Sequence, residues 1–245
     1  MQAVRENKLK CFLISISLLL LISTVIVAVS GGRSTGQQPS IPSEPDAARR
    51  TFVLLSGIPQ HGSVLGYRSA PVTLQFFGDL QCKESRQVML GALPFLIRRF
   101  VRAGKLQIRY RSVETDTKRA GGWPEFREQQ AAALAAGEQG KLWNFVDVFY
   151  REQGPEFTGY VDEAFLDEIA QLAELHPQTW KEDREPPQSW VSQLQADKAL
   201  ARRSGLRSTP SFLIGPTGGV ARPLLHFSLD EPKVFEEAVE GLLST

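Results

Sequence analysis

A chain of 245 residues with 42% hydrophobic content, fourteen Phe and four Trp has the apolar volume for one sizeable domain with additions, which excludes a disordered polymer. Its 28 basic and 27 acidic residues leave a formal charge of +1, and no basic stripe is interleaved with aromatics, so the sequence argues against nucleic acid as a partner. The two cysteines, Cys11 and Cys82, sit in such different settings that they do not make a disulfide framework.

Residues 1–10 form a short basic N-terminus, with Arg5, Lys8 and Lys10 against a single Glu6. Residues 12–29 carry no charge and only Ser and Thr as polar breaks, long enough as a helix to cross a hydrocarbon layer of about 30 Å. The pattern predicts a transmembrane signal anchor over residues 11–30, and the flanking charges put the N-terminus in the cytoplasm and the bulk of the chain outside it, in the cell membrane as a single-pass protein. The alternative is a signal cleaved near Ser30, at the small-x-small sequence Ala28-Val29-Ser30, which would release a secreted domain. Cys11 precedes the apolar run, which argues against a lipoprotein and makes it a membrane-interface residue. Residues 31–50, rich in Gly, Ser, Pro and Gln, read as a flexible linker.

The folded domain is expected over residues 51–245. Residues 51–55 form a short apolar strand candidate, Gly57, Pro59, Gly62 and Gly66 punctuate turns, and residues 72–77 form a second strand. Val88, Met89, Ala92, Phe95, Leu96 and Phe100 recur at helical spacing, predicting a helix over 85–103 with a kink at Pro94 and a stop at Gly104. Alternation over 106–113 predicts a strand, giving the order of a right-handed crossover. From about 120 to 205 the chain reads as a helical insertion, with helices over 131–136, 142–150, 163–175 and 190–203. Two short strands at 211–214 and 220–226, and a helix over 231–243, close the domain.

Cys82 ends the second strand and opens the helix after it. Unsatisfied backbone NH groups and the helix dipole there favour a thiolate, with Lys83 expected to lower the pKa and Glu84 to raise it, for moderate net activation. A buried structural thiol is the other reading. Ser85 lies one turn into the helix, where its hydroxyl could donate to a thiolate or bond to the backbone. His61, His176 and His226 lie on dissimilar segments without ligand spacing, so no metal site is expected. Glu125, Glu128, Asp147, Asp162, Glu163, Asp167 and Glu168 read as solvated helix faces, and Trp143, Phe145, Phe149 and Tyr150 as insertion core, with a substrate groove near Cys82 as their other use.

In Ser208-Thr209-Pro210-Ser211-Phe212 a proline precedes an apolar strand. Together with Phe77-Gly78-Asp79-Leu80-Gln81-Cys82 and the upstream Gly57-Ile58-Pro59-Gln60, Leu65-Gly66 and Ala70-Pro71-Val72-Thr73, this makes the exported region resemble the bacterial thioredoxin-fold disulfide oxidoreductases of the DsbA type. The resemblance implies an α/β thioredoxin-like fold with a helical insertion, here preceded by one N-terminal transmembrane helix. It also implies Cys82 as nucleophile, a cis Thr209-Pro210 bond, and a site lined by Lys83, Glu84, Ser85, Thr209 and Pro210, with no cofactor. The implied partners are exported proteins bearing thiols or disulfides, with a membrane redox partner or small thiol to recycle the cysteine. The departure is Ser85, which stands where that family has a second cysteine. It removes autonomous two-thiol oxidation and leaves exchange through one thiol, or else a redox-inactive peptide-binding or assembly module on the same fold.

The orientation is open to a direct check. A reporter fused after Thr245 is expected to be active outside the cytoplasm, and protease added to intact spheroplasts should digest the chain from about residue 31 onward; protection of the whole chain would reverse the assignment.

Overall fold

The computed structural model describes residues 45–185 and 188–244. The transmembrane segment read at 11–30, Cys11 and the linker up to residue 44 lie outside the described residues. Among the described residues no helix is long and apolar enough to cross a membrane.

Residues 45–55, expected as linker end and first strand, instead form one helix, α1 (Pro45–Leu55). Ala47, Thr51, Leu54 and Leu55 are buried while Phe52 and Val53 face out, a three-to-four spacing that a five-residue apolar run does not reveal by itself. Asp46 in the first turn pairs with Arg50 at 2.8 Å. At the other end, the Arg102 guanidinium donates to the Leu54 and Ser56 carbonyls, both at 2.9 Å, satisfying acceptors the helix leaves open.

The sheet is built from β1 (Gln60–His61), β2 (Val64–Leu65), β3 (Val72–Gly78), β4 (Leu106–Ser112), β5 (Ser211–Pro216) and β6 (Arg222–Pro223), in the order β1-β2-β4-β3-β5-β6. β3 and β4 are parallel, with Val72 opposite Leu106 and Gly78 opposite Ser112; every other pairing is antiparallel. The last strand is shorter than residues 220–226, because only Arg222 and Pro223 pair with β5.

A parallel pair needs a crossover, supplied by α2 (Lys83–Leu90), α3 (Leu93–Leu96) and a π-helical turn (Ile97–Val101). The single helix expected over 85–103 is thus broken, and the break falls ahead of Pro94. Pro94 lacks the NH that would bond the Leu90 carbonyl, so α2 ends at Leu90 and Pro94 becomes an early residue of α3. The gap is fixed by the loop before the last helix: Ala92 N donates to Leu229 O at 3.1 Å, and a Cβ on Gly91 would meet that same oxygen at 2.8 Å.

Between β4 and β5 lie α4 (Thr117–Ala120), α5 (Gly122–Glu138), α6 (Leu142–Arg151), α7 (Glu163–Leu172), α8 (Pro177–Asp183) and α9 (Gln188–Arg203); α10 (Lys233–Leu243) follows β6. The short α8 has no counterpart among the expected helices. It is held by Trp180, fully buried, whose indole donates to Ala132 O at 2.9 Å. Trp143, Phe145, Phe149 and Tyr150 of α6 are all buried. Asp147, expected on a solvated face, is buried as well. It accepts from Thr51 of α1 and forms an ion pair with Arg151 at 2.7 Å, which supplies the pairing a buried carboxylate requires.

On one sheet face, Leu74, Phe76, Ile108 and Tyr110 join the main apolar cluster. Phe212 lies at its centre, stacked on Phe76 at 5.2 Å and meeting Phe227 and Phe235 edge-on at 5.0 and 4.9 Å. The opposite face is covered at one end only, where Phe77 and Leu213 pack against Ala201 of α9.

Truncating Phe212→Ala deletes the ring shared by β3, β5 and α10. It is expected to cost about 3 to 5 kcal/mol, read as a fall in the denaturant midpoint with an unchanged slope.

Candidate active site

Strands β3 and β4 run parallel, so the loops leaving their C-terminal ends lie side by side, and both contribute to the site. The β3 loop carries Asp79, Leu80 and Gln81 into Cys82, which is the N-cap of α2 with φ −80° and ψ 123°. The β4 loop carries Thr115, Asp116 and Thr117. Asp79, fully buried, ties the two together: its carboxylate accepts from Gln81 N at 3.1 Å, Thr115 N at 2.8 Å, Thr117 N at 3.0 Å and the Thr117 hydroxyl.

The third contribution comes from the chain entering β5. The Thr209-Pro210 peptide bond is cis. Both residues are buried, the Cys82 thiol donates to Thr209 O at 3.4 Å, and the Thr209 hydroxyl meets that of Thr115 at 2.5 Å. The fourth is the segment after α6, where Gln153 donates to the Leu80 and Cys82 carbonyls at 2.7 and 3.3 Å, and Glu156 accepts from Lys83 N at 3.1 Å.

Of the residues expected at the site, Glu84, Ser85 and Thr209 come together around the Cys82 sulfur, and Pro210 follows Thr209 across the buried cis bond. Lys83 joins the site's rim with its charge already engaged, 3.5 Å from Glu156 and 3.7 Å from Glu84. Glu84 accepts a second contact from the Cys82 thiol at 3.4 Å. The Ser85 hydroxyl is buried beside the thiol without a well-formed hydrogen bond among the described residues, so its pull on the sulfur is weak.

The expected lowering of the Cys82 pKa is not what the surroundings produce. Burial pushes the thiol up to about 12, with Thr209 and then the peptide and hydroxyl of Ser85 pulling down and Asp116 adding to the rise. A helix N-terminus is worth about 0.3–1 kcal/mol, whereas a rise of this size corresponds to about 4 kcal/mol, so desolvation wins over the dipole. Burial also raises the pKa of the Asp116 carboxyl, which the Cys82 thiol partly offsets by hydrogen bonding.

Sequence reasoning missed Asp116, Thr115, Gln153 and Glu156. A usable signal existed for the first two: residues just past the C-terminal end of a strand parallel to β3 must flank the loop that leaves β3. Cys82 Sγ and carboxylate oxygens of Glu84 and Asp116 lie within 4.8 Å of one another, a trio able to approach a soft cation only after the thiol is deprotonated.

The chain and its fold have known relatives. A family model described as thioredoxin matches residues 60–218, more than half of the chain and the whole stretch from β1 to the end of β5. The chain belongs to this thioredoxin family. It is 23% identical over 190 residues to disulfide bond formation protein D of Bacillus subtilis strain 168, an alignment covering 75% of this chain and 73% of that protein. The fold superposes on BdbD from Bacillus subtilis in its oxidised form with a TM-score of 0.60 and 22% identity, covering 78% of this chain and 99% of the other. On α-DsbA1 from Wolbachia pipientis it superposes with a TM-score of 0.58 and 18% identity, covering 79% and 96%. The thioredoxin-like α/β fold with a helical insertion, expected from the sequence, is therefore the fold observed.

A thiol protonated up to about 12 has a distinct signature. Alkylation of native Cys82 by iodoacetamide should accelerate about tenfold per pH unit through the neutral and mildly alkaline range, without levelling below pH about 10. A plateau near neutrality, read by mass spectrometry of the quenched protein, would mean the thiol is activated at rest.

Proposed function

We propose that this thioredoxin-family protein exchanges disulfides with exported proteins through Cys82 acting alone, on a domain tethered outside the cytoplasm by residues 11–30. The observation that carries the reading is the contact of the Cys82 thiol with the carbonyl of Thr209 in a cis Thr209-Pro210 peptide. That contact sets a nucleophile beside a backbone edge suited to an extended substrate. The likeness to disulfide bond formation protein D of Bacillus subtilis supports the same chemistry.

The reaction can be written from the groups present. The thiol proton passes to the Asp116 or Glu84 carboxylate, and the thiolate attacks one sulfur of a substrate disulfide. One S–S bond forms to Cys82 as the substrate S–S bond breaks, and the departing sulfur takes up the proton. The Ser85 hydroxyl can donate to the transient thiolate but cannot attack the mixed disulfide as a second cysteine would. Release therefore requires a further thiolate, from the substrate or a small thiol, which takes over the bond and returns Cys82 to its reduced form.

A second reading is favoured by one specific observation: Cys82 is fully buried at rest. On that reading the domain binds peptides or assembles with partners without redox turnover.

The two readings separate on non-reducing gels. Disulfide exchange predicts long-lived adducts of the native protein with a disulfide-bearing protein, absent in Cys82→Ala and shortened in lifetime by Ser85→Cys, which restores an internal attacking thiol. Absence of native adducts under conditions where Ser85→Cys forms and resolves them would establish the binding module instead.

A further inference from the structure

The uncovered half of the second sheet face gathers three arginines, Arg68, Arg109 and Arg111, around a single carboxylate, Asp197. Gln107, Arg109 and Arg111 point from β4 to that face in register with Thr73, Gln75 and Phe77 of β3. Two adjoining cavities lie over it, of about 460 and 390 Å³, and they share Gln107, Arg109 and Arg111. The larger adds Arg68 and His61, and no Asp or Glu lines either one.

The arginines differ in what they do. Arg111 is fully engaged, its Nε donating to Gln75 Oε1 at 2.6 Å and its Nη1 to Asp197, which is itself buried and also accepts from Ser112 N at 3.2 Å. Arg109, two residues earlier and half-buried, makes no side-chain hydrogen bond or close ion pair among the described residues, and the carboxylate that acts on it, Asp197, is already bound to Arg111; exposed Arg68 makes none either. The floor beside them is already ordered: Gln107 Nε2 donates to the Thr73 hydroxyl at 2.9 Å, and that hydroxyl meets Thr217 at 2.8 Å.

Half-burying an arginine whose only acting counter-charge is shared is costly: burial, then Arg111 and Arg68, lower the Arg109 pKa, and Asp197, already bound to Arg111, offsets this only in part. Overall charge does not explain the cluster, since the chain carries only +1 in total.

We propose that this groove is a binding site for a compact phosphate-bearing ligand, held by the guanidinium groups of Arg109 and Arg68 over a polar floor fixed by Arg111 and Gln107. Three arginines against the single carboxylate of Asp197 leave an excess of two positive charges at one cavity, which calls for two negative charges close together. Phosphate carries them on one centre, with oxygens that match the guanidinium fork. The larger cavity has the size of an ordinary small-ligand site. A diphosphate in solution and the phosphate headgroup of a lipid present the same chemistry to the groove.

The test uses the purified full chain with inorganic pyrophosphate in calorimetry, and with vesicles of phosphatidylglycerol in phosphatidylcholine in cosedimentation, both at about 0.1 M salt. The expected result is saturable one-to-one binding in at least one arm, weakened about tenfold or more by Arg109→Gln and also by Arg68→Gln, which alters only an exposed side chain and keeps the fold. Arg98→Gln, removing an exposed arginine outside the groove, should leave affinity unchanged. Binding in the first arm identifies a soluble phosphate ligand, and binding in the vesicle arm alone identifies a headgroup. No binding in either arm, equal weakening by Arg98→Gln, or retention of poly-glutamate in preference to both phosphate probes would overturn the proposal.

Discussion

The carboxylate of Asp79 is buried between the ends of two parallel strands and accepts from backbone NH groups on both. A charge in that position is tolerable only while those donors converge on it, so it fixes the loops after β3 and β4 relative to each other. Through the first loop it sets where α2 starts, and hence where the sulfur of Cys82 sits. Through the second it holds Thr115, whose hydroxyl meets Thr209. Tyr150 adds a bond from its hydroxyl to Asp79 O at 3.0 Å, which links the helical insertion to the same point. The parallel sheet, the insertion and the proline-bearing segment thus meet at one residue that performs no chemistry.

Around that frame the thiol sits at the helix N-terminus and is kept protonated. Carboxylates of Glu84 and Asp116 stand where an activating cation would lower the pKa, and the one adjacent ammonium, Lys83, is committed to Glu84 and Glu156. Position at a helix N-terminus is therefore not sufficient for activation. It acts on the thiolate only to the extent that water and counter-charges leave its field unopposed.

Much of this was legible in the sequence because it depended on local pattern. The strands at Val72–Gly78 and Leu106–Ser112 announce themselves by apolar content and alternation, and the four longer insertion helices by their composition, although α5 begins at Gly122, nine residues before the expected 131–136. Cys82 and Pro210 were legible through position, each at the junction of a strand. The illegible part depended on contacts distant in the chain. Residues 51–55 become helix because α6 offers Asp147 to Thr51, and the break at Gly91 lies where the Leu229 loop presses in. Burial of the thiol depends on residues brought from beyond position 115, which no window around Cys82 contains.

The order of elements along the chain gives that burial a temporal side. Cys82 belongs to the first half of the domain, but the carbonyl its thiol meets lies at Thr209, just before β5, after all six helices of the insertion. Until the last strand is paired against β3, the sulfur lacks that cover and is open to oxidants and to other unfolded chains. A protein that ends as a shielded thiol must pass through its most reactive stage as a nascent one, so the speed with which the C-terminal third docks sets how many molecules reach the native state with Cys82 still reduced.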